Sequence, residues 1–79
     1  MSYNKEKIEN TVLALLGVME FGNGRFWKNY DFGLLDSLYE KGYITNPVNK
    51  NKSCYLTPEG LEKAKKLAEE MFGQEKTDK

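Results

Sequence analysis

The stretch from Leu34 to Gly60 constrains this chain's fold more than any other. Leu34, Leu35 and Leu38 recur at helical spacing, and Glu40-Lys41-Gly42 closes the run with a glycine where helices commonly end in the left-handed conformation. Tyr43-Ile44-Thr45 and Ser53-Cys54-Tyr55-Leu56 are short extended runs of alternating character. Between them, Asn46 to Lys52 holds three asparagines and two lysines, the composition of a solvated loop. Pro47 cannot donate to a ladder, so it belongs at a strand end or an edge. If the two runs pair, Cys54 and Leu56 share one face, and Ser53 and Tyr55 the other. Thr57-Pro58-Glu59 then opens a new helix: threonine caps, proline suits the first helical position, and glutamate meets the positive end of the dipole. The order is helix, hairpin, helix.

The flanking segments complete three helices. Met1 to Asn4 are expected to be loose. From Lys5, Ile8, Val12, Leu15, Leu16 and Met19 mark a helix, and Leu13, Ala14, Gly17 and Val18 make its second half apolar nearly all round. Such a helix is central in a fold or buried in a partner. Asp31 is a good cap for the middle helix, whose buried face is Leu34, Leu35 and Leu38, with Phe32 and Tyr39 on the rim. Its opposite face carries Gly33, Asp36, Ser37 and Glu40. The last helix has one apolar stripe, Leu61, Ala64, Leu67, Ala68, Met71 and Phe72, and ends at Gly73. Glu59 with Lys63 and Glu62 with Lys66 stand four apart in the favourable order. Residues 1–73 thus form a single domain and 74–79 a disordered tail.

Phe21-Gly22-Asn23-Gly24 breaks the first helix with residues that accept left-handed conformations. Arg25-Phe26-Trp27-Lys28-Asn29-Tyr30 follows, too short for more than a turn or two of helix. Phe26 and Trp27 are expected to close one end of the core. The alternative for Trp27 and Tyr30 is a stacking or cation–π surface for bases or a partner.

Composition removes several function classes. Twelve basic residues balance twelve acidic ones among 79, unlike a strongly basic nucleic-acid binder. There is one cysteine and no histidine, which excludes a disulfide framework and the common zinc spacings. Cys54 faces the core as an inert thiol, the carboxylates are scattered, and no phosphate-binding glycine motif occurs, so no enzyme and no cofactor is expected. No signal peptide opens the chain, and the longest apolar run, Val12 to Met19, falls short of the ~20 residues of a membrane span, so a cytoplasmic location is expected. Asn51-Lys52-Ser53 matches the glycosylation triplet by chance on this reading. A chain this short buries only about 60% of its unfolded surface, so its stability is thin or shared.

Leu35-x-x-Leu38-x-x-Lys41-Gly42-x-Ile44, a polar hairpin, then Tyr55-Leu56-Thr57-x-Glu59-Gly60 resembles the second half of winged-helix regulators of the MarR and PadR kind. The run from Trp27-Lys28-x-Tyr30-Asp31 through Leu56-Thr57 is closer still to a small prokaryotic family of domains of unknown function. The resemblance implies an α+β, mainly helical, winged-helix-like fold, three main helices with a two-stranded β-hairpin, the wing, before the last. It implies a DNA-reading middle helix, but only ten residues, Phe21 to Tyr30, stand where the regulators have a supporting helix.

Two functional expectations follow. The first is a non-enzymatic protein-interaction or assembly module, a homodimer or a binder of a host protein, with Leu13, Val18, Met71 and Phe72 at the interface. The second is DNA binding through the wing, with Arg25, Lys28, Asn49, Lys50, Asn51 and Lys52 as contacts. Asp36 and Glu40 on the outward face of the middle helix repel a polyanion, so nucleic-acid binding is expected to be weak and salt-sensitive. No small-molecule substrate and no membrane partner is indicated.

Overall fold

A computed structural model describes residues 2–73. The elements run α1 (Lys5–Met19), β1 (Arg25–Trp27), α2 (Phe32–Glu40), β2 (Ser53–Tyr55) and α3 (Pro58–Phe72). The fold is α+β and mainly helical, with an antiparallel hairpin before the last helix. The chain reverses through residues 46–52, and Ile44 and Leu56 form an antiparallel bridge. The Thr45 N–H donates to the Tyr55 carbonyl at 2.8 Å, and the Thr57 N–H to that of Tyr43 at 3.0 Å.

The regular ladder of β2 has a different partner. β1 lies on its other side, antiparallel, with Arg25 opposite Tyr55, Phe26 opposite Cys54 and Trp27 opposite Ser53. The segment read as too short for more than a turn or two of helix is thus in part a strand. Gly22, Asn23 and Gly24 take φ of 56°, 68° and 98°, so the chain turns back tightly enough for Phe21 and Arg25 to exchange two 2.8 Å backbone hydrogen bonds. Arg-Phe-Trp emerges extended, with period-two burial, exposed–buried–exposed. The expected tail, 74–79, lies outside the described residues.

Helix ends follow the expected chemistry. Asp31 accepts from the Leu34 N–H at 3.1 Å and Thr57 from the Gly60 N–H at 2.9 Å, with Pro58 at the first position. Gly42 is left-handed, φ 85°. Asn4, expected to be loose, caps α1 by accepting from the Lys7 N–H at 3.0 Å. The other end of α1 is closed from α3: Lys65 Nζ donates to the Gly17 carbonyl at 2.8 Å and to Glu20 at 3.2 Å. Among the described residues the ion pairs are this one and Glu9–Lys41. The expected Glu59–Lys63 and Glu62–Lys66 pairs do not close, and Lys63 lies 5.5 Å over the Tyr43 ring instead.

Leu13 and Leu16 of α1, Phe26, Leu35, Leu38, Ile44, Cys54, Leu56 and Ala64 form one core. Two glycines let backbones approach within it. A Cβ on Gly17 would lie 2.9 Å from that of Ala64, where α1 crosses α3. A Cβ on Gly60 would lie 1.8 Å from the Tyr43 carbonyl oxygen, so the start of α3 sits directly on the chain leaving α2.

Candidate functional site

Alternation along the sheet divides its residues cleanly. Phe26 and Cys54 point into the core. Arg25, Trp27 and Tyr55 point the other way, joined by Phe21, whose bridge to Arg25 puts it on the same face. Trp27 is 56% exposed and Tyr55 45%. The expectation that Trp27 closes the core is therefore corrected: Phe26 alone does so, because adjacent strand residues cannot both face inward. The Phe21 and Trp27 rings lie 5.2 Å apart, tilted by 39°. The Arg25 guanidinium stands 5.7 Å over the Phe21 ring, and its Nε donates to Ser53 Oγ at 2.9 Å, which satisfies that buried hydroxyl. Met19, Phe21, Trp27 and Tyr30 line a groove of about 380 Å³ beside this face.

The loop 46–52 is built onto β1. The Lys28 N–H donates to the Lys52 carbonyl at 2.8 Å. Lys28 Nζ reaches the carbonyls of Pro47, at 3.0 Å, and Asn49, at 3.3 Å, and the Asn49 side-chain oxygen at 2.9 Å. That oxygen also accepts from the Asn51 N–H at 2.8 Å, while Asn49 Nδ2 donates to the Asn46 carbonyl at 2.9 Å. Of the six expected nucleic-acid contacts, Lys28 and Asn49 thus brace the loop. Arg25, Lys50, Asn51 and Lys52 stay exposed. Lys28, Asn29, Asn51 and Lys52 line a shallow pocket with Trp27.

Charge is sharply divided. Residues 21–30 and 41–58, which supply the whole sheet and its loop, carry Arg25, Lys28, Lys41, Lys50 and Lys52 and not one carboxylate. The acids flanking the first of these segments are engaged internally. Glu20 accepts from the Gly24 N–H at 2.7 Å, and that bond first, then Lys65, holds its carboxyl below the usual range. Asp31 caps α2.

One polar cluster was not anticipated. Glu9 is buried between α1 and α2. It accepts from Lys41 Nζ at 2.5 Å and from Ser37 Oγ at 2.8 Å. The bond to Lys41 lowers its pKa most, burial opposes, and Ser37 lowers it further. The same contact raises that of Lys41. Ser37 therefore turns toward α1 and not to the open face of α2 expected for it. The signal was present: Glu9 stands four residues before Leu13 and seven before Leu16, on the buried stripe.

Of the expected interface residues, Leu13 is sealed in the chain's own core, where α1 packs chiefly against α3. Val18, Met71 and Phe72 remain 53%, 43% and 46% exposed. Cys54 is buried and free. Among the described residues no three of His, Cys, Asp or Glu come together to hold a metal, and no helix is long and apolar enough to cross a membrane.

A family model described as "Domain of unknown function (DUF6429)" matches residues 4–74. "Uncharacterized protein y4hR" of Sinorhizobium fredii (strain NBRC 101917 / NGR234) is 40% identical over 72 residues, which cover 91% of this chain and 97% of the relative. No solved structure matches.

Proposed function

The chain belongs to the family described as Domain of unknown function (DUF6429), and from that premise we propose that it is a small non-enzymatic assembly module with a winged-helix-like fold. It pairs with a second copy of itself through apolar side chains that its helices leave uncovered. The observation that carries this reading is the exposure of Val18 and Met19 on α1 and of Met71 and Phe72 on α3, each between 43% and 63%. Apolar residues scattered singly on a surface are ordinary, but these belong to the two helices that pack most extensively on each other. A domain of this size has little core to rely on, and covering such residues adds what one chain lacks. Twelve positive and twelve negative side chains leave two copies without net repulsion.

Sedimentation equilibrium tests the reading. The wild type is expected to dimerise in the micromolar range. Val18→Glu with Phe72→Glu is expected to remain monomeric with an unchanged circular-dichroism spectrum. A wild type that stays monomeric throughout that range refutes it.

A second reading, a DNA-binding regulator using the wing, draws on the exposed Lys50, Asn51 and Lys52. It is weakened by Asp36 and Glu40 on α2 and by the engagement of Lys28 and Asn49 within the loop.

A further inference from the structure

We infer that the outer face of the sheet binds single-stranded nucleic acid, stacking bases on Trp27 and Tyr55 while Arg25, Lys50 and Lys52 hold phosphates. This goes beyond the assembly reading and does not rest on it, since it uses the sheet and loop and not the exposed residues of α1 and α3.

Three observations converge on this occupant. Phe21, Trp27 and Tyr55 lie on the face of the sheet turned away from the core, and Trp27 and Tyr55 keep about half their surface open. The core beneath the sheet is filled by the cross-strand pair Phe26 and Cys54, which leaves these rings outside it. A base has two π-faces and stacks on such rings without regard to sequence. Second, the sheet and loop carry four cations, Arg25, Lys28, Lys50 and Lys52, and no carboxylate, in a chain whose net charge is zero. That segregation matches a polyanion and would repel a cationic peptide. Third, the site is held in shape. Lys28 fastens the loop to β1 through three contacts, so Lys50 and Lys52 project from a braced turn. Trp27, Asn51 and Lys52 already border one pocket of about 440 Å³.

A single strand fits better than a duplex. In a duplex the bases are stacked on one another and unavailable to Trp27, and approach along α2 would bring Asp36 and Glu40 against phosphates. A free strand presents unstacked bases and a flexible backbone that follows the cations.

Trp27 is the only tryptophan, so its own emission reports on the site. The full chain is titrated with a 20-nucleotide oligothymidylate in 50 mM salt, following Trp27 emission together with the anisotropy of a labelled strand. Expected is saturable quenching of Trp27 that coincides with the anisotropy rise, at micromolar strand. With Arg25, Lys50 and Lys52 engaged, raising salt from 50 to 200 mM should weaken binding about 20-fold. Tyr55→Ala should weaken binding several-fold, and Lys50→Ala with Lys52→Ala should weaken it and cut the salt slope by about two thirds. All three changes lie on exposed positions, and circular dichroism confirms that each variant is folded.

Several results would overturn the inference. One is no quenching and no anisotropy change up to 100 µM strand. Another is binding without quenching, which would place the strand elsewhere. Equal quenching by heparin or by a blunt duplex would leave only a general affinity for polyanions. The oligomeric mass is read separately, so loss of strand binding in a dimer and retention of strand binding in a monomer separate this inference from the assembly reading.

Discussion

Replacing Gly60 with alanine tests the packing that joins α2, the hairpin and α3. The added Cβ would lie 1.8 Å from the Tyr43 carbonyl oxygen, 2.6 Å from its carbon and 2.8 Å from its Cα. These are backbone atoms, so no side chain can swing aside, and ordinary contact requires the two segments to separate by about 1.5 Å. That movement strains the hydrogen bonds stitching this corner: the Thr57 N–H to the Tyr43 carbonyl, 3.0 Å, Thr57 Oγ1 to the Gly42 carbonyl, 2.7 Å, and the cap bond from the Gly60 N–H, 2.9 Å. Overpacking of this kind costs about 1–3 kcal/mol, and losing a cap and a hydrogen bond adds about 1 kcal/mol each. Alanine returns about 1 kcal/mol of helix propensity. The net loss is about 3 kcal/mol, a large share of the roughly 4–12 kcal/mol a chain of this length has. It corresponds to a fall in Tm of about 12–24 °C. Thermal and urea denaturation by circular dichroism measure it directly. A Tm within about 4 °C of wild type would mean that the start of α3 does not sit on Tyr43, and the account of this corner would fail.

Further substitutions probe other parts of the structure. Gly17→Ala should cost less, about 1–2 kcal/mol, because its Cβ meets the Cβ, carbonyl carbon and oxygen of Ala64 at 2.9–3.0 Å, not at 1.8 Å, and gains helix propensity; a loss as large as that of Gly60→Ala would contradict the graded contacts. Phe26→Ala should cost about 3–5 kcal/mol and Trp27→Ala about 1 kcal/mol or less, since only the first is in the core; equal losses in urea would place Trp27 inside. The Glu9 carboxyl has a lowered pKa in the fold, so its contribution is present above the unfolded value of 4.5 and is lost as pH falls through the lower folded value. The raised Lys41 contributes below 10.5 and loses its contribution as pH rises through the higher folded value. Lys41→Met should therefore cost about 1–2 kcal/mol at pH 7, discounted because Lys41 is half exposed. The loss should shrink as pH falls from 4.5 through the lowered folded value of Glu9. Urea curves showing a pH-independent loss would argue against a buried, charged Glu9.

The parts of this fold that were legible from sequence are those set by local chemistry. Asp31, Gly42 and Thr57-Pro58 each act at their own turn, and the stripe of Leu34, Leu35 and Leu38 needs only helical periodicity. What was not legible depends on partners distant in the chain. Arg25-Phe26-Trp27 is too short to carry a strand signal, and its conformation comes from pairing with Ser53–Tyr55, 28 residues on between Trp27's neighbour Phe26 and Cys54. The missed strand then reversed the reading of Trp27. Glu9 had a local clue, a carboxylate on an apolar stripe, but its partners Ser37 and Lys41 come from another helix. Leu13 shows the converse error: a helix apolar on most sides suggested an interface, and packing within the chain, chiefly against α3, buried it. In the candidate site, the cations of the loop and of Arg25–Lys28 were legible in the sequence, whereas their closeness to one another emerged only once β1 had been placed beside the loop.

The central claim, assembly through the exposed side chains of α1 and α3, is tested most directly by the light-scattering mass of the wild type at tens of micromolar beside that of Val18→Glu with Phe72→Glu. The account predicts twice the 9.1 kDa of one chain for the wild type and the single-chain mass for the variant. A single-chain mass for both, or a dimer that the two glutamates leave intact, would contradict it.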